Sequence, residues 1–441
     1  MRIKQIYYKL INSNLVKGFI DTLIGSGLSK LIIVILTFYC TNHLSKEEFG
    51  EFSFVRNTLN MLLCICALNF SSLCTKFTVE SKVSKDGLGK LCVLFLFSFI
   101  VCLIIGLSLI LLPDRLLIDM LGYPELVDYF RVIGLFLPLY ILQPLIEGIL
   151  RGFKKFRVIG VLQTASSIFF LIIIILGIKI KGVRGAISSI LFYYLFYSFV
   201  SVLTFISLKK SIAEYNFTNK SVKSLAIKNI SSISTMILPI FVMSFIEAPV
   251  FWVSQIILSR YGEMEAIGSM TVITQVRNIA VLIPSYFFST FLAFAGEMNA
   301  NKQYQIYFHR FNQMTKFFLL SGLFISAVFS CLAKPILSLY SSEYIVDFLG
   351  LIISNLSITL ILLVNLLRLN LVIQEHQREL LFISAVWNII WLLSFIIMLQ
   401  VGIDPIISFF SSQLLGYCIQ FICYFWLYNK DKRRLNDAYI K

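Results

Sequence analysis

Four charged side chains lie within long apolar stretches of this 441-residue sequence: Lys30, Arg56, Glu247 and Arg277. An ionisable group near the bilayer centre costs about 2.5 to 3.5 kcal/mol on insertion scales, so such groups seldom face lipid. Guanidinium and ammonium groups in a protected groove make charge-assisted hydrogen bonds to phosphate or carboxylate. The three cations therefore predict a cavity that binds an anion. The alternative is structural pairing with a carboxylate or with helix carbonyls.

Two acidic residues are candidates for ion coupling. Glu247 lies between Pro239 and Pro249, and proline bends or opens a helix and leaves carbonyls that can bind an ion or a proton. A salt bridge from Glu247 to Lys30 or Arg277 is an equally good interpretation. Asp21, near the start of the first apolar stretch, is the second candidate, and an interfacial position is its alternative.

Polar and aromatic residues accompany these charges. Asn57 and Asn278 each follow one of the two deep arginines, which predicts either contacts with a bound substrate or hydrogen bonds between helices. Trp387 and Trp391 are one helical turn apart and could stack on a sugar ring, although aromatic packing is the commoner role of such a pair.

The composition is that of an integral membrane protein. Hydrophobic residues make up 58% of the sequence and charged residues 14%, and the mean hydropathy is +0.86. A helix needs about 20 apolar residues to cross about 30 Å of hydrocarbon. The sequence predicts transmembrane helices at the following ranges: 19–42, 52–74, 91–112, 129–150, 158–178, 185–208, 230–258, 266–293, 317–339, 346–371, 380–401 and 405–428.

Basic residues predict the orientation of these twelve spans. Lys and Arg are concentrated in the N-terminal leader, in the connections after even-numbered spans and in the C-terminal tail, which places both termini in the cytoplasm. Lys179, Lys181 and Arg184 lie on the opposite side and are the exception. The net charge of +15 is explained by anionic lipid headgroups rather than by nucleic acid.

Charges near span ends have simpler explanations. Glu147 and Arg151 are spaced i, i+4 at the end of the fourth span, which favours a paired or snorkelling charge near the membrane surface.

Motifs of enzymes and metal sites are missing from the sequence. It contains no Walker loop, HExxH, GxSxG or dinucleotide fingerprint. Its nine cysteines form no CxxC pair, and its three histidines are scattered over loops. We therefore expect a protein that is not an enzyme and that has neither a metal site nor a cofactor.

Short motifs recur at about half the chain length. Leu44 to Lys46 and Val55 to Asn57 in the first half are matched by Leu258 to Arg260 and Val276 to Asn278 in the second. The repeat predicts duplication of a six-helix unit, with both copies in the same orientation because each has an even number of spans. The predicted domains are a first lobe at 1–208, a cytoplasmic linker at 209–229, a second lobe at 230–428 and a basic cytoplasmic tail at 429–441.

The segment Leu44 to Gly50, the turn Gly148 to Lys154 and the twelve basic-lined spans resemble the O-antigen flippases of the Wzx type. These belong to the polysaccharide-exporting branch of the multidrug/oligosaccharidyl-lipid/polysaccharide (MOP) superfamily. The resemblance implies an all-α membrane protein with the MATE-like fold of the MOP flippases, built from two pseudo-symmetric lobes. It further implies transfer of an undecaprenyl-diphosphate-linked repeat unit from the cytoplasmic to the periplasmic leaflet of a bacterial inner membrane.

The resemblance also implies roles for particular residues and partners. Lys30, Arg56 and Arg277 match the cationic lumen residues of the family's first, second and eighth spans. Transport would proceed by alternating access, coupled to a proton or sodium ion, beside an O-antigen polymerase and a chain-length regulator. A multidrug exporter of the same superfamily and a flippase for lipid II or another polyprenyl-linked glycan are the alternatives.

Overall fold

The structure is a computed structural model, and it describes residues 14–67, 70–81, 86–212, 248–282, 303–374 and 376–440, with residues 284, 288, 291, 295 and 298. Within these residues all regular structure is helical. Seven of the described helical stretches are long and apolar enough to cross a membrane. The predicted all-α membrane class is therefore confirmed.

The first part of the chain folds into helices that follow the predicted spans. Predicted spans two and four are each divided between two consecutive helices, and spans five and six form one continuous element with an internal break. The helices are α1 (Asn14–His43), α2 (Lys46–Ala67), α3 (Phe70–Ser81), α4 (Asp86–Leu111), α5 (Asp114–Leu121), α6 (Val127–Tyr140), α7 (Leu142–Gly152) and α8 (Phe156–Ile212).

Helix α8 is a hairpin of two helical arms. Lys181 and Gly182 have non-helical backbone angles, and φ at Gly182 is +56°, in the region that glycine adopts without steric cost. The two arms touch at Gly177 and Gly185, where a Cβ atom on either residue would collide with the backbone oxygen of the other. The hairpin therefore supplies two of the predicted spans.

The second part of the chain begins with the helical residues 248–282, called α9, which are broken at Glu263 with φ of +54°. The predicted span at 317–339 is divided between two consecutive helices, and the last three predicted spans each correspond to one helix. These later helices are α10 (Tyr304–Cys331), α11 (Ala333–Tyr340), α12 (Phe348–Ile373), α13 (Gln377–Gln400) and α14 (Pro405–Ile440).

A repeated order of elements agrees with the predicted duplication. In the first part, the long helix α4 is followed by the short helix α5, the 3₁₀ turn Pro124–Leu126 and α6. In the second part, α10 is followed by α11, the 3₁₀ turn Ser342–Asp347 and α12. The same succession of long helix, short helix, tight turn and long helix therefore occurs once in each half.

Helix α4 has a mainly apolar outer face, on which Ser108 is the polar exception. On α4 the exposed large residues are all apolar, among them Leu96, Leu103 and Leu107, while Ser98 and Cys102 are buried. A lipid-facing helix has this distribution, because hydrocarbon does not solvate polar groups and they are placed towards other helices.

The chain divides into two compact units. The first comprises Met1–Leu44 and Phe54–Ala248, and the second comprises Ser45–Ser53 and Pro249–Lys441. The beginning of α2 therefore belongs to the second unit and the rest of α2 to the first. Most of the proposed linker lies outside the described residues, so the predicted boundaries at 208, 229 and 428 remain predictions.

Candidate functional site

Lys30 lies on α1, which packs along α8 in the first unit. The residue is exposed, and its neighbour Ser29 shares a hydrogen bond of 2.6 Å with Ser167 of α8. The predicted ion-coupling residue Asp21 is on the same helix, and its side chain lies outside the part of the structure that is described. Glu247 is also outside the described residues.

Arg56 is half-buried on α2 and lies close to Tyr194 of α8 and Cys40 of α1. Tyr194 donates a hydrogen bond of 2.6 Å to the side-chain oxygen of Asn60, which lies one turn after Arg56. Asn57 is half-buried beside it. Three helices of the first unit therefore meet at the guanidinium of Arg56.

Glu147 of α7 is at the centre of a hydrogen-bond network in the first unit. Its Oε1 accepts from Gln143 at 2.6 Å and from the hydroxyl of Tyr197, while its Oε2 accepts from Gln163 at 3.2 Å and from Arg151 at 3.4 Å. The predicted pair with Arg151 forms, but Glu147 is only 5% exposed. A buried carboxylate of this kind is stabilised by donors on several sides.

Tyrosine rings connect the surroundings of Glu147 with those of Arg56. The ring of Tyr193 lies 5.8 Å from Tyr197 and 5.0 Å from Tyr194, measured between centroids. Tyr197 binds Glu147 and Tyr194 interacts with Arg56. The two charged groups of the first unit are thus joined by a short aromatic chain along one arm of α8.

Arg277 of α9 is buried in the second unit and 5% exposed. Its Nη1 donates to Gln413 at 2.7 Å and to Ser357 at 3.4 Å, and its guanidinium lies 5.7 Å from the ring centroid of Phe410. Among the described residues, no carboxylate is within salt-bridge distance of Arg277. Its neighbour Asn278 is exposed. The described partners of Arg277 are therefore all neutral.

Aromatic residues extend this cluster along α13 and α14. The ring of Trp387 stacks on Trp391 at 5.5 Å and lies 5.4 Å from Tyr417. Tyr417 is one turn after Gln413, the hydrogen-bond partner of Arg277. Through Tyr417 and Gln413, the pair of Trp387 and Trp391 is therefore close in the folded structure to Arg277.

An ion pair in the second unit was not predicted. Lys46 at the start of α2 binds Asp347 at 2.8 Å, and Ser269 donates to the same carboxylate oxygen at 2.7 Å. Nearby, Gly50 packs so closely on α9 that a Cβ atom would collide with the backbone oxygen of Met264. The glycine of the motif at 44–50 is thus explained by helix contact.

Among the described residues, no group of three or more His, Cys, Asp or Glu side chains is placed to hold a metal ion. All nine cysteines are free thiols.

The family follows from residues 15–295, which match the profile described as polysaccharide biosynthesis protein. The match covers more than half of the chain, and the protein therefore belongs to the polysaccharide biosynthesis protein family. No curated protein matches the sequence significantly.

Solved structures with the same fold are MOP-superfamily transporters. An inward-facing multidrug resistance MATE family transporter is similar with a TM-score of 0.75 and 12% identity, over 94% of this chain and 99% of that chain. A point mutant of the Vibrio cholerae MATE transporter VcmN is similar with a TM-score of 0.66 and 17% identity, over 96% of this chain and 97% of that chain. A MOP superfamily transporter from Pyrococcus furiosus, described as having a binding pocket of reverse polarity, is similar with a TM-score of 0.66 and 13% identity, over 96% of both chains. The predicted MATE-like fold is confirmed.

Proposed function

We propose that this protein is a flippase of the Wzx type, which moves an undecaprenyl-diphosphate-linked O-antigen or polysaccharide repeat unit from the cytoplasmic to the periplasmic leaflet. The observation that carries the proposal is Arg277, a buried cation that has only neutral partners among the described residues of the second unit. A buried charge without a counter-ion is costly. A transported diphosphate would supply that counter-ion.

The substrate chemistry fits the basic residues of both units. Lys30, Arg56 and Arg277 are the proposed phosphate-binding cations, with Asn57 and Asn278 as proposed polar contacts. Guanidinium groups replace the hydration of a diphosphate with charge-assisted hydrogen bonds. The prenyl tail can remain in the bilayer during the transfer. An inside-negative membrane potential favours outward movement of the anion by about 2.3 kcal/mol per charge per 100 mV.

The proposed mechanism is alternating access by movement of two six-helix lobes, with no covalent chemistry. The proposed lobes are 1–208 and 230–428, joined by 209–229. Coupling to a proton or sodium ion is assigned to Glu247 and Asp21, which would make the protein an antiporter. We place it in a bacterial inner membrane with both termini in the cytoplasm, working with an O-antigen polymerase and a chain-length regulator.

Complementation tests the proposal directly. The gene is expressed in a host whose own O-antigen flippase has been deleted, together with the matching glycan synthesis genes, and surface polysaccharide is measured. We expect export by the wild type and its loss in Lys30→Ala and Arg277→Ala. The matched control is Arg131→Ala, which removes an exposed cation paired with Asp114. No export by the wild type, at normal membrane levels, would overturn the proposal.

A test of coupling uses Glu247→Gln in reconstituted vesicles. The variant is expected to reduce the response of transport to pH or sodium. An unchanged response to both would remove Glu247 from the mechanism.

A multidrug exporter is the second candidate, and Glu147 is the observation that favours it. This buried carboxylate lies among tyrosine rings, an environment that suits an organic cation. Arg151 and three neutral donors already bind the carboxylate, which weakens the candidate. Reduced drug accumulation in cells expressing the protein, without polysaccharide export, would favour the multidrug exporter.

Rescue of lipid II transport instead would identify another polyprenyl-linked glycan as the substrate.

A further inference from the structure

One face of α13 carries buried polar atoms that have no hydrogen-bond partner among the described residues. Ser384, Trp387, Asn388 and Trp391 are spaced i, i+3, i+4 and i+7, so they lie on the same side of the helix. Within the described part of the chain, the Ser384 hydroxyl, both indole N–H groups and the side-chain oxygen of Asn388 are unpaired. Ser384, Asn388 and Trp391 are 3%, 0% and 1% exposed.

Unpaired polar atoms of this kind are unusual in a protein interior. Buried polar groups are normally paired, and each exception requires an explanation. In hydrocarbon the requirement is stricter, because surrounding lipid offers no partner. Three of these four side chains are more than nine-tenths buried, so bulk water is not their partner.

The face points into the second unit. Trp391 lies 6.1 Å from the ring of Phe251 and 5.7 Å from that of Phe409, between centroids. On α12, Asn355 is fully buried, and both its side-chain oxygen and nitrogen lack partners in the part of the chain that the structure describes. The interior of this unit therefore holds both donors and acceptors in addition to aromatic rings.

Trp387 marks the accessible edge of the face. It and Tyr417 are half-buried, and their rings lie 5.4 Å apart. Tyr417 follows Gln413 by one turn, and Gln413 binds Arg277 at 2.7 Å. The unpaired face is thus adjacent in the fold to the cation to which we assign phosphate binding.

We propose that this face, formed by Ser384, Trp387, Asn388 and Trp391 with Tyr417, is a carbohydrate subsite that binds a sugar of the transported glycan while Arg277 binds its phosphate. The proposal rests on the proposed flippase function. A pyranose offers apolar C–H faces to aromatic rings and hydroxyls that both donate and accept hydrogen bonds. Indole N–H groups and an amide oxygen match those hydroxyls, and a site built to bind hydroxyls rejects ligands that lack them.

Binding to two kinds of probe separates the sugar from the phosphate. Purified full-length protein in detergent is titrated by calorimetry with farnesyl diphosphate, and with farnesyl-diphosphate-linked glucose, galactose and N-acetylglucosamine. We expect at least one sugar-bearing probe to bind the wild type tenfold or more tightly than farnesyl diphosphate. Trp387→Leu should remove most of that tenfold difference and change the Kd of farnesyl diphosphate by less than twofold. Arg277→Gln should weaken both kinds of probe.

Two further variants keep the test decisive. Trp387→Phe preserves a ring but removes the N–H group, so we expect about a threefold loss of affinity for the sugar-bearing probe. This variant still tests the subsite if Trp387→Leu does not fold. Trp426→Leu is the matched control, because Trp426 is an exposed tryptophan on α14 outside this face, and it should leave both affinities unchanged.

The outcomes distinguish the subsite from the function. The subsite would be overturned if the folded Trp387 variants lost equal affinity for both kinds of probe, or lost affinity for neither. Weaker binding of both probes by Arg277→Gln would still support the flippase in that case. A wild type that binds neither kind of probe would overturn the proposed function and the subsite together.

Discussion

The surroundings of Arg56 and Arg277 differ although both arginines belong to the same repeated Val-Arg-Asn motif. Arg56 interacts with Tyr194 of the first unit, and a tyrosine chain leads from there to the buried carboxylate of Glu147. Arg277 lies in the second unit among Gln413, Ser357 and Phe410. Its described surroundings contain no carboxylate partner.

This difference shows how a duplicated framework can diverge in electrostatics. The first unit contains a buried anion whose hydrogen bonds are satisfied within the protein. The second contains a cation and an aromatic face whose buried polar atoms have no partner among the described residues. We therefore expect the Glu147 network of the first unit to serve stability and the surroundings of Arg277 in the second unit to serve binding.

The largest expected effect is on Arg277. Arg277→Ala should reduce surface polysaccharide more than tenfold at normal membrane levels, because it removes the cation assigned to the diphosphate. Arg277→Lys should restore only part of the export, since an ammonium lacks the planar fork that binds phosphate through two hydrogen bonds. Export at the wild-type level by both variants would break the contrast between the two interiors.

Glu147 should affect stability more than binding. Glu147→Ala leaves the donors from Gln143, Gln163 and Tyr197 without their acceptor, at a cost of about 2 to 3 kcal/mol in unfolding free energy. Glu147→Gln keeps an acceptor and should cost less. Thermal unfolding in detergent measures both. A wild-type unfolding temperature for Glu147→Ala would show that the network contributes little to stability.

Gly416 tests the aromatic face in the second unit. A Cβ atom at this position would lie 2.6 Å from Nε1 of Trp387, so Gly416→Ala must displace the indole. Overpacking of this kind costs about 1 to 3 kcal/mol. We expect a lower unfolding temperature and weaker binding of a sugar-bearing probe, with farnesyl diphosphate affected less. Unchanged tryptophan fluorescence and affinity would contradict the close contact.

The smallest expected effect concerns two ion pairs, one in each unit. The side chains of Lys46 and Asp347 are 15% and 12% exposed, whereas those of Arg131 and Asp114 are 38% and 60% exposed. Because solvent screens exposed pairs, double-mutant cycles should give a coupling energy of about 1 kcal/mol for the first pair and less than about 0.5 kcal/mol for the second. Equal couplings would remove this distinction.

The sequence predicted the membrane helices because these depend on local composition. The stretch at 91–112 contains no charged residue, whereas Lys30, Arg56 and Arg277 interrupt apolar stretches, and their roles remain predictions. The hairpin in α8 was predicted as two spans for the same reason.

Contacts between distant residues could not be predicted in this way. Glu147 and Arg151 have the spacing of an exposed helix pair, and the burial of Glu147 depends on Gln163 and Tyr197, which α8 brings back to α7. Lys46 and Asp347 are 301 positions apart. Nothing in the local pattern of either residue indicates the other.

The close approach of Gly50 to Met264, with the Lys46 ion pair beside it, fixes the first turns of α2 against α9. Arg56 lies about 9 Å further along the same helix, because the rise is about 1.5 Å per residue. A bulkier side chain at Gly50 would therefore shift the guanidinium without touching it. A random mutant library selected for lost polysaccharide export should therefore return substitutions at this glycine.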